Sequence, residues 1–259
     1  MEGFPVELYF HRRPKNKGQD KIYMGYRFPP RFLRALGAWQ NGWLEDPRRR
    51  EAVTKELLLA IAESHLPSSA KHVDHICYRK RFLVTHNPQN NGDFVGLFTK
   101  GIDDGVASWT ANKKFAQDFK GPIRQNAIAA VFGHKPAETE VVLNIPALWT
   151  CAEFKEADLY TGDYADALHN FKSQQSEIIL KAPLLREDLV GLCGKSSPFD
   201  DLCEMMGVTD EKIKNDIWRT LVERDIFPEG TWITGDAVQF ILERTIKHFN
   251  ALTKKAQVI

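Results

Sequence analysis

Between residues 71 and 190 the chain breaks into short apolar runs, "HICYRKRFLV", "FVGLFTKG", "AIAAVF", "EVVLNIPALW" and "SEIILKA", set apart by Gly, Pro, Asn or Asp. Runs this short, rich in β-branched and aromatic residues and bounded by turn formers, read as strands. Such a chain must fold around a sheet. The flanks read differently. In "GWLEDPRRREAVTKELLLAIAESHLP", Asp46 can cap, Pro47 suits the first helical position, and Val53, Leu57, Leu58, Ile61 and Leu66 form an apolar stripe. Ahead of it, residues 1–41 mix Pro, Gly and aromatics without a sustained period, and only a short strand near Val6 to Phe10 is predicted. Within the core, "TANKKFAQDFKG" reads as a short helix that Thr110 or Asn112 caps and Gly121 ends. From Pro198 onward no strand is predicted. Two helices are: one behind a capping Thr209, with Ile213, Ile217, Trp218, Leu221 and Val222 at helical spacing, and one with Val238, Ile241, Leu242, Ile246 and Phe249. The fold class is therefore α+β. It comprises residues 1–195, with a helical front to 70 and a strand-rich core over 71–190, and an all-helical extension over 196–259.

A chain of 259 residues hides about three quarters of its unfolded surface and needs no staple to hold a core. Lys+Arg 35 against Asp+Glu 34 leaves a formal charge of +1, which argues against a protein that coats nucleic acid by bulk positive charge. Cys77, Cys151, Cys193 and Cys203 form no C-x-x-C pair, so neither a zinc ribbon nor a secreted disulfide framework is indicated. No metal is expected. The histidines show no ligand spacing, and "KHVDH" at 71–75 reads as a solvated lead-in to a strand. Nothing approaches the roughly 18 uninterrupted apolar residues of a membrane span, and the start of the chain lacks a leader pattern. A cytoplasmic protein is expected. The arginines at 48–50 fall in a first helical turn, where positive charge opposes the helix dipole; a solvated face is the simplest account of them.

Three pieces carry chemistry: "YRK" on the first core strand, "SWT" at 108–110 just before the short helix, and "QSE" at 175–177 leading into the last core strand. In an extended segment Gln175 and Glu177 point the same way, so an amide and a carboxylate look out over one surface. In order and context these pieces resemble the signature of mono-ADP-ribosyltransferases of the bacterial-toxin and ecto-enzyme type: Arg, then Ser-x-Ser or Ser-x-Thr, then Gln-x-Glu or Glu-x-Glu. The resemblance covers about residues 71–190. It implies two small mixed sheets around a cleft that the front helices close, and NAD as the donor of ADP-ribose.

By position the resemblance assigns Arg79, Ser108, Gln175 and Glu177 to catalysis, with Arg79, Ser108, Thr110, Arg124 and Glu177 toward NAD. Cleaving the nicotinamide–ribose bond makes an oxocarbenium-like sugar, as glycoside hydrolysis does. The Glu177 carboxylate would stabilise that charge. Arg79 would fork hydrogen bonds onto phosphate or ribose oxygens and brace the site, Ser108 would hold Glu177 in register, and Arg124 would reach the pyrophosphate. Phe171, in the loop ahead of the Gln-x-Glu, would touch the target together with Gln175. In the family a Gln at the first position accompanies acceptors other than arginine, such as asparagine or a nucleic-acid base. Gln175 can donate to and accept from an amide or base edge but cannot act as a base at neutral pH. A base would need stacking and flanking cations, for which Phe171, Lys172, Lys181 and "HRRPKNK" at 11–17 are candidates.

Competing readings remain at single positions. Arg81 lies on the same strand face as Arg79 and competes for its role. Ser-Trp-Thr departs from the commoner Ser-Thr-Ser, and Trp109 is expected to pack inward. A diphtheria-like relative would use a histidine in place of Arg79, for which His75 is the near candidate. The expectation is an NAD-dependent transferase of a toxin or phage-defence kind, acting on RNA, DNA or protein and restrained by an inhibitor or antitoxin. A non-catalytic NAD- or nucleic-acid-binding module and an NAD glycohydrolase are the alternatives.

Overall fold

A computed structural model of the chain describes residues 28–41, 47–84, 92–119, 127–159, 168, 176–193, 203, 205–224 and 232–256. The expected strand near Val6 to Phe10 lies outside them. The chain divides into two compact units, one of residues 1–66 with 150–170 and one of residues 67–149 with 171–259.

The first unit is helical. Helix α1, Pro30–Gln40, occupies a stretch in which no period is evident from sequence. Phe32, Leu33, Leu36 and Trp39 are buried at helical spacing, and the pattern is masked by the proline at its start and by Gly37 inside it. Helix α2, Pro47–Ala62, buries Val53, Leu57 and Ile61 as expected, with Ala60, but Leu58 faces solvent and Leu66 falls beyond its end. Arg31 of α1 grips both Glu56 and Glu63, through contacts of 2.8 Å and 2.6 Å. Phe28 meets Phe154 edge-on at 5.2 Å, which brings α6, Ala152–Leu159, into the same apolar group.

The second unit is built on one sheet of seven strands, all paired antiparallel, in the order β4-β5-β2-β1-β3-β6-β7. This corrects the expected pair of small mixed sheets. The strands are β1, Cys77–Val84; β2, Val106–Thr110; β3, Ala127–His134; β4, Val141–Asn144; β5, Glu177–Lys181; β6, Leu189–Cys193; and β7, Ile233–Thr234. The pairing is uneven. β1 and β3 oppose each other at eight positions, but β1 and β2 do so only at Tyr78 and Thr110.

Three further expectations are corrected. "FVGLFTKG" belongs to helix α3, Gly92–Thr99, because apolar residues at 94, 95, 97 and 98 suit a helix face as well as a strand. "EVVLNIPALW" stops being a strand at Asn144, whose Oδ1 accepts from the Ala147 amide and starts helix α5, Ile145–Thr150. Strands do occur beyond Pro198, since β7 pairs with β6. Helix α4, Lys113–Asp118, is capped by Asn112, whose side chain accepts from Phe115 N. In α7, Glu211–Glu223, Asp210 caps instead of Thr209, and Ile213 is exposed while Trp218 is buried. Val238 and Leu242 of α8, Asp236–Ala256, join the apolar cluster on one sheet face with Cys77, Leu83, Trp109, Phe132, Ile178 and Leu180. No helix of the described residues is long and apolar enough to cross a membrane.

Candidate active site

The strand order sets "YRK", "SWT" and the glutamate of "QSE" side by side, because β1, β2 and β5 are neighbours at the sheet centre. Thr110 opposes Glu177 and Ser108 opposes Ile179 across β2 and β5. Alternation then puts Ser108, Thr110 and Glu177 on one face, and Trp109 with Ile178 in the apolar cluster on the other. Trp109 is thus core, as expected. Glu177 is only 6 % exposed, and Ser108 Oγ donates to its Oε1 at 2.5 Å. Thr110 Oγ1 accepts from the Asn112 amide at 3.0 Å and so fixes the turn from β2 into α4.

Arg79 reaches the same serine from the other strand: its Nη1 donates to the Ser108 carbonyl oxygen at 2.7 Å. Ser108 therefore holds Glu177 through its hydroxyl and Arg79 through its backbone, across the junction that has a single opposed pair. Asp104, in the turn before β2, takes Arg79 Nε on its Oδ2 at 2.6 Å, with Nη2 2.5 Å from the same oxygen. Its other oxygen accepts from Arg81 Nη1 at 3.0 Å. The two arginines that compete in the sequence thus share one carboxylate, and only Arg79 also contacts Ser108.

Asp104 has no place in the sequence reading. The clue is that Arg79 and Arg81 share a strand face and need a counter-ion, which "GIDDG" offers just ahead of the serine motif. The turn is shaped for it. Gly101 has φ +81° and an added Cβ would stand 2.8 Å from Leu185 Cδ2, while Gly105 has φ +62°. Asp103 Oδ1 accepts from the Gly105 amide.

Ser176, just before Glu177, has φ +41°, a left-handed conformation unusual for a residue with a side chain. β5 accordingly begins at Glu177. Gln175, Phe171, Lys172, Arg124 and the segment 11–17 lie outside the described residues. Lys181 is exposed at the far end of β5, about 13 Å along the strand from Glu177 at the usual rise. His75 precedes β1, is 45 % exposed and contacts Asp74.

A second polar group stands beside the serine motif. His134, the last residue of β3, lies with its ring 5.9 Å from that of Trp109. Its Nδ1 is 2.8 Å from Asp188 and its Nε2 3.0 Å from Glu140. The Asp188 hydrogen bond, helped by Glu140 and opposed by burial, pushes the imidazole up to about 9. Burial raises the Cys77 thiol to about 12 and the Cys193 thiol to about 11, which keeps both protonated and inert. No group of His, Cys, Asp and Glu suited to a metal occurs among the described residues.

Compared with protein-family models, with curated proteins and with solved structures, the chain gives no match.

Proposed function

We propose that the chain is an NAD-dependent mono-ADP-ribosyltransferase acting on a macromolecule. The observation that carries this reading is the meeting of three sequence-distant motifs on one residue: Ser108 donates to Glu177 and accepts from Arg79. In the reaction the nicotinamide–ribose bond breaks, its electron pair leaves with nicotinamide, and the sugar carbon becomes cationic. Glu177, held rigid by Ser108, faces that charge with a carboxylate set before the reaction begins. The acceptor's nucleophilic atom then bonds to the same carbon and gives up its proton. The resemblance gives Arg79 two roles, binding NAD and bracing the site; its contacts support bracing. An acceptor other than arginine, an asparagine-type amide or a nucleobase, follows from Gln175 in the sequence pattern. A reducing compartment such as the cytoplasm, read from the spacing of the cysteines in the sequence, belongs to the same proposal of a toxin- or defence-type enzyme.

The test is incubation with labelled NAD and cell extract. Nicotinamide should be released and the label should stay on a macromolecule, to be freed by either protease or nuclease. Glu177→Gln should cut release on the order of 10²- to 10³-fold with unchanged circular dichroism. Nicotinamide release without attached label would mean a glycohydrolase. Intact NAD, or full activity in Glu177→Gln, would overturn the reading.

A further inference from the structure

The buried carboxylate of Asp104 is the least expected part of the site. Its side chain is 4 % exposed, and removing a carboxylate from water is costly unless charge partners compensate. Two arginines of β1 partner it, and one of them, Arg79, is passed on to the Ser108 carbonyl of β2. Elsewhere in the sheet, backbone ladders set the spacing of neighbours. Where β1 meets β2 only Tyr78 and Thr110 are opposed, so the spacing there depends on this chain of side-chain contacts. Slack in it shifts Ser108, which the β2–β5 ladder keeps beside Glu177, relative to Arg79 and β1, and Ser108 holds the Glu177 carboxylate.

We propose that Asp104 is a positioning residue for the Glu177 chemistry, acting through Arg79 and Ser108; the inference rests on the transferase reading above. A carboxylate displaced by about 1 Å can lose on the order of 10²-fold in rate although it still binds substrate. The charge of Asp104 is what matters, because a neutral amide of the same shape would face two guanidinium groups with one donor end and no anion.

The experiment measures nicotinamide release by the full chain and by Asp104→Asn, Arg79→Lys and the double variant, with thermal unfolding of each. The Arg79 guanidinium NMR signal, assigned by its loss in Arg79→Lys, is followed in parallel. Asp104→Asn should lower kcat on the order of 10²-fold with KM little changed, shift the Arg79 signal, and add almost nothing on top of Arg79→Lys. Asp104→Glu should recover part of the rate, and it replaces Asp104→Asn if the amide variant does not fold. A wild-type rate in Asp104→Asn, a change in KM alone, or full additivity with Arg79→Lys would overturn the inference while leaving the transferase reading standing. No nicotinamide release by the wild type would instead remove that reading and the catalytic role of Asp104 with it. An unmoved Arg79 signal in Asp104→Asn would then also remove the structural part.

Discussion

Along one edge β1 is zipped to β3 over eight opposed positions, from Cys77 with His134 to Val84 with Ala127; along the other it meets β2 at Tyr78 and Thr110 alone. The first junction is set by backbone groups that every residue carries, so it tolerates changes of side chain. The second is set by the side chains of Arg79 and Asp104, acting on the Ser108 carbonyl, with His134 as a further tie. His134 sits on β3 beside Trp109 of β2, and it contacts Asp188 ahead of β6 and Glu140 ahead of β4, which lie on opposite sides of the junction. Where backbone pairing lapses, charged groups take over, and the candidate catalytic glutamate is beside that lapse.

Three substitutions sharpen the contrast. Arg79→Ala should have the largest effect on stability, about 3 kcal/mol in urea unfolding, because it takes from the buried Asp104 the closer of its two arginine contacts and leaves Arg81 at 3.0 Å. NAD cleavage should fall with it. A loss below about 1 kcal/mol would mean that the junction does not depend on the pair. The His134 tie should show in pH. Its native value of about 9 lies above the ordinary 6.5, so its contribution is complete below about pH 6.5 and is lost as pH rises through 9. That amounts to about 2–3 kcal/mol between pH 6 and 9.5, and His134→Gln should flatten the profile. On the zipped side, Ala129→Gly in the middle of β3 should cost only about 1 kcal/mol and leave NAD cleavage unchanged.

The strands at 77–84, 127–134 and 177–181 were legible because their apolar runs are bounded by turn formers or polar residues and carry β-branched or aromatic side chains. The three motifs singled out in the sequence fall on β1, β2 and the start of β5, and the sheet makes those strands adjacent. What sequence hid was of two kinds. Short apolar stretches such as 94–98 fit either period, so α3 read as a strand. β6, with Gly191 at its centre, and the two-residue β7 depend on their partners more than on their own composition. The other kind is non-local. Asp104 meets Arg79 across 25 residues of chain, and His134 meets Asp188 across 54, so no local window contains either pair.

The lapse between β1 and β2 does not divide the sheet into independent halves, and the chain path shows why. In the order β4-β5-β2-β1-β3-β6-β7 the polypeptide passes from one flank to the other between β1 and β2, β2 and β3, β3 and β4, and β5 and β6. Those crossings lace the flanks together covalently, so neither can peel away and refold alone. The sheet should therefore melt as a single cooperative block in spite of the sparse backbone pairing at its centre.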